Sequence, residues 1–482
     1  MAVAIKAARL LSSRAHVIPG ALHVSELFFE VPKNHANPSA GTLKLFGRSV
    51  RRDERPIVPF TAAEIKCRAG KPYLVYLEGG PGFGNSEPQD HNVTHHALRA
   101  GYQVLYLDYR GTGLSTPINA DHVLAQGNPK SQAEYLKLFR ADSIVHDLEA
   151  VRLCLTEEWE EERQPWSIFG QSFGGFVSLS YLSKYPQALR EVFLTGGLAP
   201  VKRTADEVYA RTYKKVVERN EAYYAKFPED IQNVHRIVKE IESRGGSIPL
   251  PGGGKLTVPR LLGLGIAFGG HGGLDAVHTM ILKLVTDLDQ FSTFTRATLM
   301  AVERQVPFDS NPIYAILHEA IYCTGTSSSS SNWSALRVAR SNSSLLPWFH
   351  WLVDPVAFSK SVLSSNDQKH PHYFSGEMVY PSYFEAYPEL VLLKEAAEIL
   401  AKNEDWAEPL YDEAQLRRGD VPVYAASYVD DMYVDFKYAR ETASLLKNIK
   451  VFETNQLYHN ALRARGDEVI GQLFRMREES LD

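Results

Sequence analysis

Cysteine is scarce in this sequence: three in 482 residues, Cys67, Cys154 and Cys323, an odd number spread far apart. That excludes a disulfide framework and any zinc site built on closely spaced cysteine pairs, and it suits a reducing, cytoplasmic setting. No apolar run approaches the length that spans a bilayer, so a membrane role is not expected. Charge of either sign is also short of excess. The net charge is −5, and the densest basic stretch, residues 48–55, is interrupted by Asp53 and Glu54. Nucleic acid is therefore not an expected partner. Neither a phosphate-binding GK[ST] loop nor GxGxxG occurs, and no cofactor is expected. Residues 1–14 lack the apolar stretch of a secretory signal, although their arginines, serines and absence of acids also suit a short mitochondrial presequence.

What is present is ordinary globular material, 44% hydrophobic and 23% charged, long enough for two regions that pack separately. Short β-like runs alternate with helical patterns over the first 200 residues, as βαβ units on a mostly parallel sheet do. Residues 23–31 and 42–48 alternate like half-buried edge strands, whereas 73–77, 102–107, 166–169 and 191–195 read as central strands buried on both faces. Residues 142–155 carry apolar side chains at helical spacing behind an Asp142 cap. From about Pro200 the pattern changes to long amphipathic helices broken by Pro251-Gly252-Gly253-Gly254 and by Gly269-Gly270-His271-Gly272-Gly273. Strand signals resume at 421–426 and 450–454, with a helix over 438–446 between them and another from about Glu468. The expected architecture is thus an α/β core over residues 1–199 and 420–482, split by a helical insert over 200–419. The serine run 327–331 reads as a short loop.

Chemistry concentrates at Gly170-Gln171-Ser172-Phe173-Gly174-Gly175, which follows one apolar run and opens a helical pattern. This is the strand, turn and helix that a nucleophile elbow needs, with glycines where the turn leaves no room and a serine hydroxyl held at the helix start. A serine needs a base to take its proton and an acid to orient that base, in the order Ser, Asp or Glu, His. The loop after 421–426 offers Asp430 and Asp431, and the loop after 450–454 offers His459. Of 16 histidines, His459 alone follows the last predicted strand. Oxyanion donors are expected from the backbone N–H of Phe173 and from the loop Glu78-Gly79-Gly80-Pro81-Gly82, with Gly80 as the second donor. Asp108-Tyr109-Arg110-Gly111-Thr112-Gly113-Leu114-Ser115 reads as a brace beneath these loops.

Together, Gly79-Gly80-Pro81-Gly82, the Asp108 to Ser115 stretch, the Ser172 elbow, Asp431-Met432 and His459 resemble the proline iminopeptidases, α/β-hydrolases that remove an N-terminal proline. The stretches Asn220-Glu221-Ala222-Tyr223-Tyr224 and Gly376-Glu377-Met378 are similar to those of the larger members. The resemblance selects Asp431 over Asp430 as the acid, since the family pattern places Asp before Met. It implies a helical cap that reads the free amine with acidic side chains and cradles the proline ring with aromatics, so the partners would be short peptides with a free N-terminal proline. Within the insert, Glu319 and Glu377 are the apolar-flanked acids suited to that amine, and Trp333, Tyr322 and Phe83 are candidates for the ring. Glu78 departs from the histidine many members carry before Gly-Gly-Pro-Gly. On the same scaffold an esterase is the first alternative, and a non-catalytic binding protein is the second.

Overall fold

Apolar residues on both faces are what a strand needs at the centre of a sheet covered by helices, and five of the runs found in sequence are so placed. The computed structural model describes residues 5–54, 56–61, 64, 70–325, 330–345, 347–365 and 370–479; Cys67, residues 1–4 and serines 327–329 lie outside them. The strands are β1 (Arg9–Ile18), β2 (Leu22–Pro32), β3 (Thr42–Arg52), β4 (Tyr73–Leu77), β5 (Gln103–Leu107), β6 (Trp166–Gln171), β7 (Leu189–Thr195), a short pair β8 (Ile248–Pro249) and β9 (Lys255–Leu256), then β10 (Val423–Tyr428) and β11 (Ile449–Thr454). Nine of them form one sheet in the order β1-β2-β3-β5-β4-β6-β7-β10-β11. It is antiparallel from β1 to β5 and parallel from β5 to β11.

Two expectations are corrected here. Residues 23–31 and 42–48 lie in β2 and β3, which are interior to the sheet; alternation reports that one face is buried, not that a strand is at an edge. The edge on this side is β1, which pairs with β2 from Arg9 opposite Glu30 to Ile18 opposite Leu22. Its side chains are almost all exposed, so it has no hydrophobic pattern to betray it. The helix Ala141–Leu155 starts after Arg140, so Asp142 is not its cap. The buried Asp142 carboxylate instead receives a hydrogen bond from Arg140 Nη2 at 2.7 Å.

After β7 the chain leaves the sheet for a series of helices and returns at β10, which pairs directly with β7. The first, Ala205–Lys226, begins with a reciprocal capping box in which the Thr204 hydroxyl and Glu207 carboxylate satisfy each other's backbone N–H. These helices do not form a separate core. Val208, Tyr209 and Tyr322 belong to the same continuous apolar cluster as Leu194 and Phe176 beside the sheet. The opposite face is covered by the helices Asn92–Arg99 and Gly466–Glu478, which contribute Val93, Ile470 and Leu473 to a second cluster. Among the described residues, no helix is long and apolar enough to cross a membrane.

Candidate active site

Three loops at the C-terminal edge of the parallel strands meet around Ser172. The first is the turn from β6 into the helix Phe173–Lys184, where Ser172 adopts φ 53° and ψ −120°. A non-glycine residue rarely takes that conformation, and it persists only where the surroundings enforce it. Two glycines allow the enforcement. A Cβ on Gly174 would lie 1.9 Å from the Leu77 carbonyl oxygen, and one on Gly175 would lie 2.3 Å from that of Gly197. The Ser172 N–H donates to the Thr195 carbonyl at 3.0 Å, which ties the turn to β7.

The second and third loops follow β10 and β11. His459 Nε2 stands 2.8 Å from Ser172 Oγ, and His459 Nδ1 stands 2.7 Å from Asp431 Oδ2. An ionised carboxylate can only accept, so Nδ1 carries the proton and Nε2 is free to accept from the serine hydroxyl. Asp431 is buried, and its other oxygen receives the N–H groups of Tyr433 and Val434 at 2.8 and 3.0 Å. Asp430 points elsewhere, its Oδ1 taking a hydrogen bond from Lys215 at 3.2 Å. Burial disfavours the charged form of His459, but the Asp431 charge and hydrogen bond, helped by Glu377, outweigh it and hold its pKa above the ordinary 6.5. Tyr433, which sequence reading did not single out, stands edge-on to the imidazole with centroids 4.6 Å apart.

The serine opens into a cavity of about 370 Å³ lined by residues that include Gly79, Gly80, Phe83, Phe308, Tyr314, Glu377, Tyr433, His459 and Arg463. On one side is the glycine loop after β4. The Gly79 N–H is taken by Glu78 Oε1 at 2.8 Å, and Gly80 borders the cavity. Phe173 is the first residue of its helix, so its N–H is among those with no intrahelical acceptor. Phe173 directly follows Ser172 and Gly80 borders the cavity, which leaves both N–H groups as candidates for a developing oxyanion. Under these loops, Asp108 receives the N–H groups of Asn85 and Leu114, while Arg110 binds Asp147 and the carbonyls of Pro32, Lys33 and Leu138.

Of the two glutamates expected to meet an amine, one reaches the cavity. Glu377 lies in its wall, and its Oε1 accepts from the Tyr314 hydroxyl. Glu319 does not line it. Its two oxygens each receive a backbone N–H, from Ser334 and Ala335, both at 2.9 Å, at the start of the helix Ser334–Ser341. Burial raises its pKa to about 7 even so. The expectation failed because an apolar-flanked glutamate suits a buried helix start as well as a ligand. Of the ring candidates, Phe83 lines the cavity. Trp333 instead donates to Glu398 and packs on Phe384, and Tyr322 is buried against Phe176 and Tyr209. Phe83, Tyr314 and Phe308 form the aromatic wall, the Tyr314 ring centroid lying 5.4 Å from that of Phe83 and 5.6 Å from that of Phe308. Phe308 and Tyr314 carried no signal that set them apart from core aromatics.

A relay of serine, imidazole and buried carboxylate can carry acyl transfer. Comparison with known proteins agrees with that chemistry. A family model described as the alpha/beta hydrolase fold matches residues 72–237. The chain is 40% identical over 470 residues to a proline iminopeptidase of Aeromonas sobria, covering 97% of this chain and 100% of that one. It is 37% identical over 478 residues to a proline iminopeptidase of Aspergillus aculeatus, covering 99% of each.

Proposed function

Because the chain belongs to the proline iminopeptidase family of the α/β-hydrolases, we propose that it is a serine aminopeptidase that releases N-terminal proline from peptides. Ser172 attacks the carbonyl of the first residue, His459 takes its proton and passes it to the leaving amine, and Asp431 fixes the imidazole tautomer. Water then hydrolyses the acyl-enzyme by the same route in reverse. Gly80 and Phe173 N–H groups receive the oxyanion. No cofactor takes part in these steps.

The observation that carries the proline assignment is the pairing of an acidic side chain with an aromatic wall in the cavity that holds Ser172. A secondary ammonium enclosed there needs a negative partner, since an unpaired charge removed from water is costly. Glu377 supplies it, oriented by Tyr314, and Phe83, Phe308 and Tyr314 pack on the ring. Glu319 is not part of that reading. Residues 200–419, which contribute Glu377, Tyr314 and Phe308, act as the cap.

The test is a panel of chromogenic amino-acid amides with N-acetylproline amide and short acyl esters. Proline amide should lead, and acetylation should abolish cleavage, because it leaves Glu377 unpaired. Glu377→Gln should lower kcat/KM for proline amide at least about tenfold, while a serine-directed phosphonate still labels Ser172. An ester preferred by more than about 100-fold, roughly 2.7 kcal/mol, would make the protein an esterase.

A further inference from the structure

The chemistry above leaves one charged group of the cavity without a role. Beyond His459 the chain turns through Asn460 to Arg463, and both line the same cavity as Ser172. The Arg463 side chain is 71% exposed and is anchored at one corner, where Nη2 donates to Glu78 Oε1 at 3.3 Å. Glu78 is buried, and the same oxygen also accepts the Gly79 N–H at 2.8 Å. The guanidinium is thereby held at the cavity with most of its donors facing solvent.

Direction follows from the proton. His459 Nε2 must reach the leaving nitrogen, so the residue after the scissile bond lies against the loop that carries His459. The amine end then lies toward Glu377 and Tyr314. In that orientation Glu377 faces the first residue, while the leaving side holds Arg463, a cation that Glu78 engages at one corner only; His459 feels the charges of both Glu377 and Arg463. A short peptide with both termini free carries the complementary pair, an ammonium at one end and a carboxylate at the other.

We propose that Arg463 is a specificity-determining residue that pairs with the free C-terminal carboxylate of the substrate, so that the favoured substrates are short zwitterionic peptides. The inference rests on the aminopeptidase reading and narrows its substrate class. Arginine suits the task because its planar fork matches a carboxylate. Its exposure keeps the gain modest and sensitive to salt.

The experiment compares kcat/KM for Pro-Ala and Pro-Ala-Ala with that for their C-terminal amides, in the wild type, Arg463→Met and Arg463→Lys. The wild type should favour at least one acid over its amide by about five- to tenfold, chiefly in KM, and high salt should erode the preference. In Arg463→Met the ratio should fall to near one, and Arg463→Lys should keep part of it. An acid-to-amide ratio near one in the wild type overturns the proposal. So does a ratio that Arg463→Met leaves unchanged, including the case in which acids and amides lose activity together. Failure of the wild type to cleave any of these peptides or proline amide would instead refute the aminopeptidase reading itself.

Discussion

Asp430 and Asp431 are neighbours in the chain and differ in everything that matters to His459. Asp431 is buried with both oxygens engaged, one by the imidazole and the other by two backbone N–H groups. Asp430 keeps a side chain 42% exposed and pairs with Lys215. Asp431→Asn should therefore lose on the order of 10⁴ in kcat by presenting the wrong tautomer, whereas Asp430→Asn should change kcat by less than about threefold, as an exposed ion pair predicts. The same geometry sets the pH profile. As pH falls through the pKa of His459 the imidazole becomes charged and cannot take the serine proton, so kcat/KM for proline amide should decline on an acid limb centred above 6.5. Glu319 gives a second pH signature, in stability. Its folded pKa of about 7 lies above the ordinary 4.5, so its contribution is fully present below 4.5 and is lost as pH rises through 7. Glu319→Gln cannot ionise, and its stability relative to wild type should improve from pH 5 to pH 8 by roughly 2–3 kcal/mol at most, measured by urea unfolding. No change across that range would refute the assignment.

Among elements, the turn from β6 into its helix is the most tightly determined. Gly174→Ala would push a Cβ into the Leu77 carbonyl of β4, a backbone atom that cannot move without disturbing the centre of the sheet. A loss of about 2–4 kcal/mol is expected in denaturant unfolding, with activity falling alongside because Leu77 leads into the glycine loop. The sequence announced this element because sterics dictate its residues one by one. The central strands were legible for a related reason: burial on both faces forces continuous apolar runs, and 73–77 matches β4 residue for residue. Strand β1 was not legible, since a strand with exposed faces is held by backbone hydrogen bonds that any sequence can make. The cavity wall was legible in part. Ser172, His459 and the aspartate pair follow from strand order, but Tyr314 and Phe308 are brought to Ser172 by tertiary packing alone, and Glu319 satisfied the same local pattern as Glu377 while serving a helix start.

At the scale of the whole molecule, the helical segment must be fixed to the sheet if a residue of residues 200–419 is to meet substrate bound at Ser172. Part of the attachment is a shared apolar cluster, but apolar contact alone tolerates sliding. Arg140, just before the helix Ala141–Leu155, provides a directional link. Its guanidinium donates to the Cys323 carbonyl at 2.8 Å, to the Glu408 carbonyl and to the Asp142 carboxylate, and it lies 4.4 Å from the Trp406 ring centroid. Lys184 and His146 both meet the Glu408 carboxylate, adding a second link from the sheet side. Arg140→Met keeps the length and removes the donors, leaving buried Asp142 and two carbonyls without their partner. Breaking a buried pair on one side should cost about 3–5 kcal/mol. Burial opposes ionisation of Asp142, yet Arg140 outweighs it and holds the pKa below the ordinary 3.8. The contribution is therefore present above that value and lost as pH falls through the folded pKa. The difference in unfolding free energy between wild type and Arg140→Met should be full at pH 7 and shrink toward pH 3. If Arg140 also fixes the register of the helical segment, kcat/KM for proline amide should fall more than turnover of a small acyl ester, because the ester needs Ser172 and His459 but not Glu377. A variant that loses stability while both substrates fall in the same proportion would show that Arg140 holds the fold without setting the position of Glu377.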